Sequence, residues 1–257
     1  MTTIHVDLNL AKEVVGDNDK LHALAFCVQI KGMYRSGRLH LRTKDETYLR
    51  RLMKLFGVGY YTITKWIKDA TEYGYVRKDG DYLVANKIRF GRDRTFKMKF
   101  AKDFDFAKNH SDVVDAIRSA HLCNHIHKNE DTYNTHLKAS GEVKCSRKAM
   151  KNARALSRQY GVREATGRIS YIRIAEILNV TRNKAIKLVS KLVNEGILGK
   201  SYYYQEIDWY APNRYADKVI TDLHGGYIVR KFDKVFIQLS NRFWINQNNL
   251  FSNRASI

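Results

Sequence analysis

The sequence predicts a helix-rich α+β protein, two helix-turn-helix modules joined by a helical linker. Three observations predict it. First, residues 48–78 (YLRRLMKLFGVGYYTITKWIKDATEYGYVRK) and residues 170–200 (SYIRIAEILNVTRNKAIKLVSKLVNEGILGK) align without a gap at a constant offset of 122 residues, Lys78 falling on Lys200. Second, each copy has the apolar period of a helix, a short break, a second such period, then a glycine and an apolar pair that opens a strand. Third, of 257 residues 44% are hydrophobic, enough to fill two ordinary cores. Identities between the copies are few (Arg51 on Arg173, Val58 on Val180, Lys65 on Lys187, Gly74 on Gly196), so pattern carries the match.

In the first copy the break is Gly57-Val58-Gly59. The helix after it buries Ile63, Trp66, Ile67 and Ala70 and turns Tyr60, Tyr61, Thr64, Lys65 and Lys68 outward. A strand–turn–strand follows at residues 75–84, with Asp79-Gly80 as the hairpin signal. Beyond it lies a basic run: Lys87, Arg89, Arg92, Arg94, Lys97, Lys99 and Lys102. Ile88, Phe90, Phe96, Met98 and Phe100 alternate with these charges, which predicts two strands around residues 91–94. Such strands either lie along a phosphate backbone or guard a sheet edge with lysine.

Ser111 is expected to cap a helix over residues 111–128 whose apolar face is Val113, Val114, Ile117, Ala120 and Leu122, and residues 129–142 read as a polar linker. Residues 144–163 hold seven basic side chains and no acidic one. On a helix Lys144, Arg147, Lys148, Lys151, Arg154 and Arg158 form one stripe, opposite Cys145, Ala149, Ala153, Leu156 and Tyr160. That is a cationic rail about 20 Å long. A solvated basic helix is the competing reading.

In the second copy the break is Asn179-Val180-Thr181, and Thr181 can cap the next helix. That helix buries Ala185, Ile186, Val189, Leu192 and Val193 and leaves Arg182, Asn183, Lys187, Ser190, Lys191 and Asn194 outside. A β-prone stretch follows at residues 202–210 without an obvious turn. Two more β-prone runs lie at 227–232 and 235–239, ahead of an Asn-rich tail. The expected organisation is module one at 1–106, linker at 107–143, module two at 144–215 and a C-terminal segment at 216–257.

At residues 21–100 and 144–215 the chain resembles tandem winged-helix proteins, and its two-module layout resembles plasmid and phage replication initiators. The resemblance implies binding of double-stranded DNA with one base-reading helix per module. Tyr60, Tyr61, Thr64, Lys65 and Lys68, with Arg182, Asn183 and Lys187, would then face base edges: Arg182 suits guanine and Asn183 adenine. The rail and the 87–99 run (Lys87, Arg89, Arg92, Arg94, Lys97, Lys99) would hold phosphates.

Charge agrees, at 46 Lys+Arg against 26 Asp+Glu, net +20. Three cysteines without paired spacing suit free thiols in a reducing, cytoplasmic setting. No 18-residue apolar run predicts a membrane span, and residues 1–19 lack a basic-then-apolar leader pattern. No phosphate-loop, dinucleotide or hydrolase motif is present, so neither cofactor nor catalysis is expected. His121, Cys123, His125 and His127 cluster, yet no second ligand pair has metal spacing. His125-Ile126-His127 resembles the His-hydrophobic-His motif of HUH endonucleases, whose histidines share one face of a strand. The expected role is that of a mobile-element replication initiator or transcriptional regulator. The expected partners are duplex DNA and the replication or transcription machinery, and a second copy of the chain fits as well. The alternatives are a nucleoid or virion protein coating DNA without sequence preference and, third, an origin-nicking HUH enzyme.

Overall fold

The computed structural model describes residues 2–41, 47–86, 95–140, 146, 168–207, 227–231, 234–246 and 251–252. It is α+β and helix-rich, with small antiparallel sheets. The chain forms two compact units, Met1–Leu122 with Asn248–Ile257, and Cys123–Gln247.

The first unit opens with β1 (Thr2–Asp7) and α1 (Leu8–Val15), whose N-terminal amides at Asn9 and Leu10 donate to the Asp7 carboxylate. Asp17 caps α2 (Asn18–Met33) in the same way. Leu21, Leu24, Phe26, Cys27, Val28 and Ile30 of α2 are buried on every side, so α2 is the core helix. β2 (Arg38–His40) follows, then α3 (Tyr48–Phe56) and α4 (Tyr60–Glu72). Phe26 meets Phe56 and Trp66 at ring separations of 5.2 and 6.0 Å, which fixes both helices on α2. β3 (Val76–Asp79) and β4 (Tyr82–Ala85) make the expected hairpin, with Gly80 at φ 56° in the turn, and β2 completes the order β2-β4-β3.

β5 (Thr95–Phe100) is the second of the two strands expected around residues 91–94, and the stretch at 87–94 that would hold the first lies outside the described residues. The partner of β5 is β1, 88–98 residues back, with Thr3 opposite Lys99 and His5 opposite Lys97. The alternation holds: Phe96, Met98 and Phe100 are buried, Lys99 exposed and Lys97 half-buried. β9 (Phe251–Ser252) covers part of its other edge, so β5 is a middle strand.

α5 (His110–Ser140) starts one residue before Ser111, which therefore is not its cap, and runs through most of the polar stretch read as a linker. No glycine or proline interrupts residues 129–140, and Thr135 Oγ1 donates to the Asp131 carbonyl one turn back. Polarity without a breaker does not end a helix. The 144–163 rail lies outside the described residues, except for exposed Ser146.

The second unit repeats the helix pair of the first and the strand that follows it. α6 (Tyr171–Leu178) and α7 (Arg182–Asn194) stand where α3 and α4 do, α4 and α7 both having 13 residues in the aligned register. Both first helices end in a left-handed residue, Gly57 at φ 65° and Asn179 at φ 49°. Both second helices turn out through a glycine of positive φ, Gly74 and Gly196. The Val58 amide bonds the Met53 carbonyl and the Val180 amide the Ala175 carbonyl; Tyr75 to Ala70 and Ile197 to Leu192 match likewise. Leu188 joins the buried face of α7, while Ile186 and Val193, like Ile67 of α4, are half-buried.

β6 (Leu198–Ile207) pairs with β8 (Lys234–Ile245), and β7 (Tyr227–Lys231) lies on the other edge of β8. Leu198 faces Ile245 as Val76 faces Ala85. β8 is thus the counterpart of β4, delivered by residues expected to form a separate C-terminal segment. An isolated bridge from Arg168 to Arg242 takes the place of β2. Trp244 lies over Gly199, its cross-strand partner, where a Cβ would run into the indole.

Asn179 is the single non-glycine described residue with positive φ. Asn179→Ala is expected to destabilise the second unit by about 1 kcal/mol, and Asn179→Gly to leave it unchanged or steadier. Chemical denaturation checks this; equal midpoints for Ala and Gly would contradict it.

Candidate nucleic-acid interface

α7 carries the clearest outward face. Thr181 Oγ1 accepts from the Lys184 amide at 3.3 Å, as the sequence predicts, and this fixes where the helix begins. Ala185, Leu188, Val189 and Leu192 anchor the inner face. Arg182, Asn183, Lys187, Ser190, Lys191 and Asn194 are all exposed on the other. The helix holds four cations and no carboxylate, so its surface is a continuous set of donors.

α4 is built on the same frame with a different surface. Its cations are Lys65 and Lys68, against Asp69 and Glu72. Lys65 Nζ lies 2.9 Å from Asp19 and 3.1 Å from Asp69, and Lys68 lies 3.8 Å from Glu72. Hydrogen bonds to Asp19 and then Asp69 raise the Lys65 pKa. The predicted outward Lys65 is therefore half-buried and held by two carboxylates of its own chain, a pairing no helical wheel reveals because Asp19 sits on α2. What α4 presents is Tyr60 and Tyr61, 60% and 80% exposed, together with exposed Thr64. The two tyrosines occupy the register of Arg182 and Asn183.

Of the predicted phosphate-binding residues, Lys97 and Lys99 are placed side by side on one face of β5. Lys87, Arg89, Arg92, Arg94, Lys144, Arg147, Lys148, Lys151, Arg154 and Arg158 lie outside the described residues.

Two features escape sequence reading. The first is a lysine–tyrosine contact present in both units. Lys200 Nζ donates to Tyr171 at 3.0 Å and to Tyr202 at 3.2 Å, and Lys78 Nζ lies 5.7 Å from the Tyr48 ring centroid. The alignment pairs the lysines, and a tyrosine opening each first helix is the signal that was available.

The second is a buried polar chain behind α4. Gln29 donates its amide to the carbonyls of Phe106 and Ala107, which leaves Gln29 Oε1 as an acceptor for His110 Nδ1 at 2.7 Å. His110 Nε2 must then accept, and His22 Nδ1 donates to it at 2.8 Å. The His110 ring stacks on Trp66 at 3.8 Å. Burial, with a smaller contribution from His22, holds the His110 pKa down to about 3, so the ring is neutral. Burial also lowers the His22 pKa.

The histidine cluster lies on α5. His121 and Cys123 are buried, and His127 lies 3.6 Å from Asp131. Successive helical residues project about 100° apart, so His125 and His127 diverge rather than share a face as the nuclease motif requires. Among the described residues no group of three or more His, Cys, Asp or Glu side chains is placed to hold a metal ion. Burial pushes the Cys27 thiol up to about 11 and the Cys123 thiol up to about 12, which leaves both as core residues. Among the described residues no helix is long and apolar enough to cross a membrane.

Comparison of the chain with protein-family models, curated proteins and solved structures gives no match. The functional reading rests on the site itself.

Proposed function

We propose that the chain is a double-stranded DNA-binding protein with two winged-helix modules, α7 being the principal base-reading helix. One observation carries the reading: the repeated helix–turn–helix–strand geometry, in register down to its left-handed turn residues, with a carboxylate-free donor face on α7. The order α2, β2, α3, α4, β3, β4 supports a winged-helix reading, in which the β3–β4 hairpin would serve as the wing. In the second unit β6 and β8 stand for β3 and β4.

Arg182 and Asn183 suit bidentate contacts to guanine and adenine, and Lys187 lies one turn further along the same face. α4 reads differently, through Tyr60, Tyr61 and Thr64, by ring contact with thymine methyls and by hydroxyls. Two unlike faces suit an asymmetric target. This favours a sequence-specific role, initiation at a mobile-element origin or transcriptional control, over uniform coating.

Selection of duplexes from a random pool defines the site. Arg182→Ala is then expected to cost about 1–3 kcal/mol on the selected duplex and little on random DNA. Equal losses on both would remove α7 as the reader. Equal wild-type affinity for selected and random duplexes would favour the coating protein.

A further inference from the structure

Lys200 is half-buried on β6, and its position is unusually constrained for a lysine. Besides its bonds to the two phenol oxygens, Nζ lies 5.4 Å from the Tyr171 ring centroid and 4.4 Å from that of Tyr202. Tyr171, the first residue of α6, is itself set edge-on to buried Phe243 at 6.0 Å. The ammonium is thus anchored through one ring to the core of the second unit. In the first unit Lys78 has the same register and stands over Tyr48, the first residue of α3.

The chemistry of the cluster points to a ligand. An ammonium has three protons and no acceptor. Two go to the phenol oxygens. The third remains, and a phenol oxygen that accepts from an ammonium keeps its own O–H to donate. Lys200 makes no ion pair with a carboxylate among the described residues, unlike Lys20, Lys65 and Lys68. Burial opposes its charge, and the bonds to Tyr171 and Tyr202 outweigh burial and raise its pKa. The cluster therefore presents an ammonium proton, the Tyr171 hydroxyl proton and one net positive charge. Its natural complement is an oxyanion with acceptors on neighbouring oxygens.

Resting on the duplex-binding reading, we propose that Lys200, Tyr171 and Tyr202 form an oxyanion site that takes one phosphodiester of a DNA backbone, with Lys78 and Tyr48 as its counterpart in the first unit. The lysine recurs at one register of both units, each time beside the tyrosine that opens the first helix of its pair, and this recurrence favours the DNA backbone over a solitary anion. A clamp of this kind sets the angle at which the neighbouring helix pair meets the duplex and is indifferent to sequence.

The test uses the full chain and a random-sequence duplex, with affinity measured against sodium chloride concentration. Lys200→Gln and Lys78→Gln are each expected to lower the magnitude of the log–log salt slope by about 0.9, and the double variant by about 1.8. Lys200→Arg should keep the slope. Tyr171→Phe should also keep it while weakening binding about fivefold, one hydrogen bond being lost. An unchanged slope in a Lys200→Gln protein of wild-type circular dichroism would overturn the site. If that variant does not fold, unchanged affinity in Tyr171→Phe overturns it instead. A second arm measures the thermal midpoint in inorganic phosphate against chloride at matched ionic strength. Phosphate should raise the midpoint of the wild type and not that of Lys200→Gln. If the wild type fails to bind duplex yet keeps this difference, the duplex reading falls, and with it the phosphodiester assignment, leaving a free-phosphate site. No difference in either arm removes the site altogether.

Discussion

Raising salt from 50 to 200 mM is expected to weaken duplex binding by about 10³-fold or more. The reason is counterion release. A chain that neutralises six or more phosphates should show a log–log slope of magnitude above about 5. Net charge of +20 supplies the cations, but their distribution decides how many reach DNA. In the first unit several are engaged within the protein: Lys65 with Asp19 and Asp69, Lys20 with Glu13, and Arg38 with Asp79 at 3.2 Å. α7 holds four cations and no carboxylate of its own. The steep slope should therefore depend chiefly on α7 together with the basic runs at 87–99 and 144–163. Fluorescence anisotropy on a labelled duplex measures it. A slope near 1 would mean that neither run lies on the backbone.

Acid is the second strong perturbation. His110 is neutral in the folded protein, its pKa held to about 3 by burial, whereas in the unfolded chain it titrates near 6.5. Below pH 6.5 the unfolded chain takes up a proton that the folded chain refuses. Stability from this group is therefore present above about pH 6.5 and is lost as pH falls toward 3. The loss is about 2 kcal/mol by pH 5 and about twice that by pH 4 or below. His22 shifts in the same direction, chiefly through burial, with Arg118 and Lys65 adding to it and Asp19 opposing it. A protonated His110 has no acceptor left for His22, and it places a charge against the Trp66 face. Denaturation midpoints at pH 7.5 and 5, for the wild type and His110→Gln, measure the effect. The variant should lose distinctly less on acidification. Equal losses would place the acid sensitivity elsewhere.

What the sequence disclosed was local. The breaks at Gly57 and Asn179, the cap at Thr181, the turn at Gly80 and the six exposed residues of α7 all follow from near neighbours along the chain. What it hid was non-local. β1 is an ordinary six-residue strand whose partner lies 88–98 residues on, and β6 finds its mate in β8 across a long intervening stretch. Residues 23–30 of α2 are all buried, so that helix gives no stripe to read. Lys65 looked outward on its own helix, and only the packing of α2 against α4 brings Asp19 to it. His22 and Gln29 share a face of α2, but nothing in the sequence connects either to His110.

The strand order β1-β5-β9 has a consequence for synthesis on the ribosome. β5 is complete at Phe100, but the residues that cover part of its far edge, Phe251 and Ser252, are translated only after the whole second unit. At 5–20 residues per second, that delay is roughly 8–30 s. Throughout it the nascent first unit exposes a raw β edge while the whole second unit is being made. Lys97 and Lys99 keep that strand charged for the interval, in the manner of natural gatekeepers against edge-to-edge association. Replacing both with threonine should thus leave the finished fold largely intact and lower the soluble yield of newly made chain.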